Sequence, residues 1–328
     1  MKKVSLSTNV DLQNYGDRIG EIVRYMNPLG IEIFSKPENY KPEYLMDLPE
    51  KSASYGNFTT ISKQLAKNIG NKLRGIKRIQ FHYPWQKTLL DMDGNDFAQT
   101  IKFCDIILEE SGAEQLTINY HNVLKYPSPS FVENLKGSER EDVMKKQETD
   151  AKYAKWIKEN LKSPCLLIVE NNPAVSADED KKTGEQILDN VDLVAEDYIE
   201  RDGIDGTNLD YSHAWTVAGY FSGDKKYPNL EWCRRQYEGV PESAKSIENF
   251  VKTVAPKIKW IHLSDEPHPY THSGMHLGEG ATDFHECTRL LDKYLADEVV
   301  ATIEVKNGHT QEGFKKIIEH DFPFLRKI

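Results

Sequence analysis

The chain has 328 residues, 38% of them hydrophobic and 10% aromatic, a composition that supports a large core and excludes a disordered or fibrous protein. With 42 basic against 52 acidic residues the net charge is −10, which speaks against unaided nucleic-acid binding because phosphate affinity rests on Lys and Arg, although a locally basic cleft is compatible with it. No apolar run approaches the roughly 20 residues that span a bilayer, and MKKVSLSTNVDLQ has no apolar segment behind its lysines, so a cytoplasmic protein without membrane contact is expected.

In chain order, apolar runs of strand length alternate with helical periodicity eight times. The strands are expected at 3–8 (KVSLST), 30–34 (GIEIF), 78–82 (RIQFH), 115–121 (QLTINYH), 165–170 (CLLIVE), 206–211 (GTNLDY), 258–263 (IKWIHL) and 299–305 (VVATIEV). Helical segments lie between them, among them DFAQTIKFCDIILEESG, with Asp96 as its N-cap and Gly112 as its stop, PESAKSIENFVKTV and DFHECTRLLDKYL. Cys104, Cys165, Cys233 and Cys287 are far apart and form no C-x-x-C pair, so reduced thiols are expected rather than disulfides or a zinc knuckle.

Strands alternating with helices imply a parallel sheet. Eight units in this length give about 41 residues each, more than a minimal eightfold barrel of about 250 residues needs, and the surplus falls after strands, as in SKPENYKPEYLMDLPEKSASYG and AWTVAGYFSGDKKYPNLEWCRRQYEG. The expected architecture is one domain over 1–328, an α/β (β/α)8 TIM barrel with long loops at its C-terminal face, where such barrels build active sites. An open doubly wound sheet is the alternative, since periodicity does not show closure.

Metal-ligand residue types recur at the expected strand ends: His82, His121, Glu170, Asp210 with His213, His262 and Glu304. The steps from His82 through His121, Glu170, Asp210 and His262 to Glu304 are 39, 49, 40, 52 and 42 residues, each about one strand-helix unit. Six strands would bring imidazoles and carboxylates to one mouth, an arrangement that is unfavourable unless a cation compensates it. The stretch WIHLSDEPHPYTHSGMHLGEG, 260–280, adds His268, His272 and His276, three acids and a glycine turn that is either a phosphate cradle or the bend into the next helix. Trp85 and Trp215 flank the candidate ligands and can wall a sugar-like substrate, and Lys306 can meet a phosphate or carboxylate.

The ordered segments FHYPW, NYHNV, VENN, LDYSHAW, IHLSD, HLGEG and TIEV, within 78–305, resemble the strand ends of the xylose isomerase-like TIM-barrel superfamily. That superfamily joins sugar phosphate isomerases and epimerases with family 2 AP endonucleases of the endonuclease IV type. The sugar isomerase branch implies one divalent cation, Mn, Mg or Co, on Glu170, Asp210, His262 and Glu304. It also implies Glu170 and Glu304 as proton acceptor and donor around an enediolate, His213 on a substrate oxygen, and a small sugar-like substrate. The endonuclease branch implies a multinuclear zinc site acting on abasic DNA, with His82 and His121 as further ligands. Its Asp-Arg-His triplet is missing here, where THSGMH offers only His272 or His276. A third reading is a barrel that keeps the cation site but only binds. Superfamily members are often oligomeric, and the long loops offer surface for a homo-oligomer.

Overall fold

The structure, a computed structural model, describes residues 1–12, 15–35, 54–55, 58–59, 63–83, 94–121, 138–160, 165–173, 194–199, 201–222, 242–267 and 273–328. Eight parallel strands close into a barrel. They are β1 (Val4–Asp11), β2 (Gly30–Phe34), β3 (Arg78–His82), β4 (Gln115–His121), β5 (Cys165–Glu170), β6 (Gly206–Asp210), β7 (Ile258–Leu263) and β8 (Val299–Ile303). Neighbours in the chain are neighbours in the barrel, and β1 closes it by pairing Val4–Thr8 with Val299–Ile303 and Asn9–Asp11 with Glu32–Phe34. The second pairing explains why β1 runs three residues beyond its apolar stretch. A separate antiparallel pair joins Ser54–Tyr55 to Phe58–Thr59. Among the described residues no helix is long and apolar enough to cross a membrane.

Helices α1 (Tyr15–Met26), α2 (Lys63–Lys72), α3 (Gly94–Ser111) and α4 (Ser138–Asn160) follow β1 to β4, α5 (Tyr211–Ser222) and α6 (Ile247–Val254) both follow β6, and α7 (Phe284–Tyr294) follows β7, with shorter helical turns after β5 and β8. Helix α3 begins two residues before Asp96 and ends where Gly112 takes a left-handed φ of 67°, as its stop signal requires. Apolar residues of alternate strand positions, such as Ile31, Phe81, Ile118, Val169, Leu209, Ile261 and Ala301, pack with Ile19, Ile69, Phe103 and Leu291 of the helices in one outer core.

The other set of alternate positions fills the barrel. Its lower part is apolar: Ile168, Trp260 and Val300, with Leu29 and Leu166 against them. Gly30 makes room there, since a Cβ at that position would stand 2.8 Å from the Trp260 ring and 2.9 Å from Val300. Above this plug the interior turns polar, with Glu32, Gln80, Thr117, Asn119, Asn208 and Thr302 all buried. The loop expected at 35–56, and the loop expected at 214–239 from residue 223 on, fall almost entirely outside the described residues. The segment after β6 departs from expectation, because AWTVAGYFS is helix rather than loop. Tyr211, Ala214, Val217 and Ala218 give it a buried face, and the Asp210 carboxylate caps it by accepting from His213 N at 2.9 Å.

Candidate metal centre

The upper ends of the strands bring their polar residues together. His82, Glu170, His262 and Glu304 offer ligand atoms within 4.8 Å of one another, and so do Glu170, Asp210 and His213. Glu170, shared by both groups, ends β5 and is buried. Its Oε2 accepts from Asn119 Nδ2 at 2.6 Å and Asn208 Nδ2 at 2.8 Å, and lies 3.3 Å from His82 Nε2 and 3.5 Å from His121 Nε2. Its Oε1 lies 3.2 Å from His262 Nδ1, which also faces Glu304 Oε2 at 2.6 Å. Glu304 follows β8, and its backbone N–H still bonds Leu263 O, which keeps it in register at the barrel mouth.

Each imidazole is held from behind. His82 Nδ1 donates to Tyr83 O at 2.7 Å, His213 Nδ1 to Asn171 O at 2.7 Å and His121 Nδ1 to Asn172 Oδ1 at 3.3 Å, while His262 Nε2 meets Glu32 Oε2 at 2.5 Å. One proton per ring is thereby claimed outside the cluster, and the second nitrogen of each ring is turned toward the carboxylates. This is how imidazoles that ligate metals are oriented. The rings pack at centroid distances of 5.2 Å (His82 to His121) and 5.5 Å (His82 to His262). Asp210 divides its work: Oδ1 serves the cap and Ser212 Oγ, and Oδ2 is left facing His213 Nε2 at 3.5 Å.

The electrostatics demand positive charge at this point. Burial pushes the Glu170 carboxyl up, but His121, His262 and His82 outweigh it and hold it well below the usual carboxylate range. Burial likewise opposes ionisation of Glu304, and His262 brings it down to about 2. Burial and the charge of Glu170 raise Asp210 to about 7. Burial disfavours imidazolium at His82, yet the bond and charge of Glu170 raise it to about 9, and His262 is raised by Glu170, Glu304 and Glu32 against its own burial. His121 is lowered, chiefly by burial. Protons on imidazoles or a bound cation can meet this demand, and a set of carboxylates with backed imidazoles fits a hard to borderline divalent ion.

No protein-family model and no curated protein matches the sequence. Among solved structures, the apo form of the 3-keto-D-glucoside 4-epimerase YcjR from E. coli is similar with a TM-score of 0.56 and 11% identity, over 99% of this chain and 100% of that one. A family 2 AP endonuclease from Brucella melitensis is similar with a TM-score of 0.50 and 10% identity, over 97% and 99% of the two chains. The chain shares their eight-stranded barrel fold. At such low identity the likeness speaks for the fold alone, and the chemistry of this barrel rests on its own side chains.

The other candidates have different places. Trp85, His268 and His272 lie outside the described residues. His276 stands apart from the cluster: its Nδ1 bonds Asp321 Oδ2 at 2.7 Å, in the π-helical turn Ile317–Asp321 near the C-terminus. Trp215 packs against the outer core, and Lys306 is exposed, its N–H bonded to Gly274 O. The HLGEG amides are engaged within the protein, since Gly278 N and Gly280 N both donate to Asp265 Oδ2 at 2.8 Å. Glu266 takes Ser273 N, Ser273 Oγ and Gly274 N. Sequence reasoning missed Glu32, Gln80, Asn119, Asn171, Asn172 and Asn208. The signal for the first was a lone carboxylate in the apolar run GIEIF.

Proposed function

We propose that this barrel is a divalent-cation-dependent isomerase or epimerase of a sugar or sugar derivative, moving a proton at a carbon next to a carbonyl. The observation that carries the reading is the meeting of Glu170 and Glu304 at one nitrogen, His262 Nδ1, at the barrel mouth, where Glu304 is 28% exposed and Glu170 1%. A carboxylate at the mouth and a second one beneath it supply the two proton-transfer groups such a reaction needs. Glu170, Asp210, His262 and Glu304 would hold the cation. When bound, it would supply fixed positive charge that polarises the substrate carbonyl and acidifies the neighbouring C–H.

The residues of the chain do the rest. One glutamate, ionised, takes the proton from carbon; the other, also ionised at rest, receives a proton from a neighbouring imidazolium and delivers it to the opposite face, yielding an epimer. Return of the same proton to the adjacent carbon, with the neighbouring hydroxyl proton passed to the former carbonyl oxygen, yields the aldose or ketose isomer. His213 Nε2, its ring held by Asn171 O, bonds a substrate oxygen and orients it. The buried residues beside Asp210, including Ser212 and Ser264, exclude water that would compete for the proton. The same fold carries a keto-glucoside epimerase, so the barrel is compatible with this chemistry.

A second reading, a phosphodiesterase using more than one cation, is favoured by one observation: His82 and His121 both aim Nε2 at Glu170 Oε2, more donors than a single ion requires. The position of His276 beside Asp321 weighs against a full trinuclear set. The test is solvent exchange. With Mn2+ in heavy water, a panel of aldoses, ketoses and keto-glycosides should include one that gains deuterium at the carbon beside its carbonyl, and Glu304→Gln should abolish the gain. No uptake from any of them, together with nicking of an abasic-site duplex that His121→Ala loses, would replace this reading with the second.

A further inference from the structure

Glu32 is the buried carboxylate that proton transfer leaves unexplained. It sits in the middle of β2 between Ile31 and Ile33, and its side chain has no exposed surface. Burial strips a carboxylate of its hydration, so an apolar residue would be the cheaper occupant of this position. All of its described bonds converge on one oxygen. Oε2 lies 2.5 Å from His262 Nε2, accepts from Gln80 Nε2 at 2.6 Å and from Thr302 Oγ1 at 3.4 Å, whereas Oε1 has no partner among the described residues.

The members of this network fix its direction. Trp260 Nε1 can only donate, so Thr302 Oγ1 accepts from it at 2.8 Å and turns its own proton toward Glu32. Gln80 Oε1 accepts from Thr117 Oγ1 at 3.2 Å, which leaves the Gln80 amide nitrogen to donate. Oε2 is thus an acceptor toward each neighbour. His262 Nε2 also has Asn208 Nδ2 at 3.0 Å and Gln80 Nε2 at 3.3 Å, but both amides make shorter bonds to carboxylates, to Glu170 Oε2 at 2.8 Å and to Glu32 Oε2 at 2.6 Å, so the proton between Glu32 and His262 belongs to Nε2. With Nε2 occupied, Nδ1 is the nitrogen that faces Glu170 and Glu304.

We propose that Glu32 is a positioning residue: it holds the tautomer and ring plane of His262 so that Nδ1 is the ligand atom for the cation. The inference rests on the cation reading of the cluster. Carboxylate partners of ligating imidazoles act in this way, and their loss weakens metal affinity about 10–100-fold.

The test measures the Mn2+ dissociation constant of the purified protein, of Glu32→Gln, of His262→Gln and of the double variant by equilibrium dialysis. Gln is isosteric with Glu and can keep an oxygen on Nε2, but it removes the negative charge that fixes the ring proton there. Glu32→Gln should weaken Mn2+ binding about 10–100-fold, and adding it to His262→Gln should change nothing further. If the wild type binds no Mn2+, the cation reading itself fails. If the wild type binds and Glu32→Gln binds equally well, or if the loss persists in full without His262, only the role of Glu32 is overturned. Should Glu32→Gln not fold, 15N NMR of wild-type histidines with Zn2+ decides, the His262 signals being those lost in His262→Gln. A protonated Nε2 and a Zn2+-bound Nδ1 support the role, and an unprotonated Nε2 removes it.

Discussion

Two regions of the barrel mouth are rich in the same residue types and behave in opposite ways. At the strand ends, the groups backing His82, His121, His213 and His262 leave one nitrogen of each ring facing shared carboxylates. In the connection after β7, the acids are consumed by the backbone. Asp265 accepts from the N–H groups of Glu266, Gly278, Gly280 and Thr282, and Glu266 from those of Ser273 and Gly274. The first region keeps acceptor capacity for something beyond the chain, and the second spends it on the shape of a loop. Whether a carboxylate can take a ligand is decided by which of its lone pairs remain, not by how many acids and histidines cluster in the sequence.

Substitutions can break this contrast. Glu170→Gln removes the carboxylate common to both ligand groups and should weaken Mn2+ binding by more than the about 10–100-fold typical of a residue behind a ligand, with little loss of stability; equal affinity in a titration would refute a shared ligand. Asp265→Ala leaves the amides of Gly278, Gly280 and Thr282 without their acceptor, Glu266 N keeping Thr282 Oγ1, and should lower the urea-unfolding free energy by about 3 kcal/mol. Cation affinity of the folded protein should stay the same, and a large loss of affinity would merge the two regions. Gly280→Ala tests the loop more gently. Its Cβ would stand 2.4 Å from Asp265 Oδ1 and from Glu266 O, and a loss of about 1–3 kcal/mol is expected.

Proton release sharpens the contrast further. His82, raised to about 9, and His262, raised as well, carry protons near neutral pH, and a cation must displace those on its ligands. Binding should strengthen from pH 6 to pH 8, and calorimetry in buffers of different ionisation enthalpy should show net proton release; none would contradict the raised imidazoles. The smallest effect is expected of His276→Ala, about 1 kcal/mol of stability from its bond to Asp321, with cation content unchanged.

The strands were legible because their apolar runs are buried by both helices and barrel, and six strand ends carry a polar residue one unit apart. Only the limits shifted: β6 stops at Asp210 because Tyr211 opens α5, and β1 extends because Asn9–Asp11 find partners in β2. What stayed hidden depends on partners distant in sequence. Glu32 reads as one odd letter in GIEIF until β7 is placed across the barrel from it, and its bond to His262 spans 230 residues. His276 reads as a loop ligand until Asp321, 45 residues on, is seen to hold it. Asn119 and Asn208 read as ordinary polar strand residues, and only closure of the barrel turns both amides onto Glu170.

The proposed proton transfer requires one cation of the manganese type in the strand-end cluster. The most direct measurement is the metal content of protein purified without added ions or chelators. The account predicts about one such ion per chain, lost in Glu170→Gln and kept in His276→Ala. Two or three zinc ions per chain, or none that Glu170→Gln can remove, would contradict it.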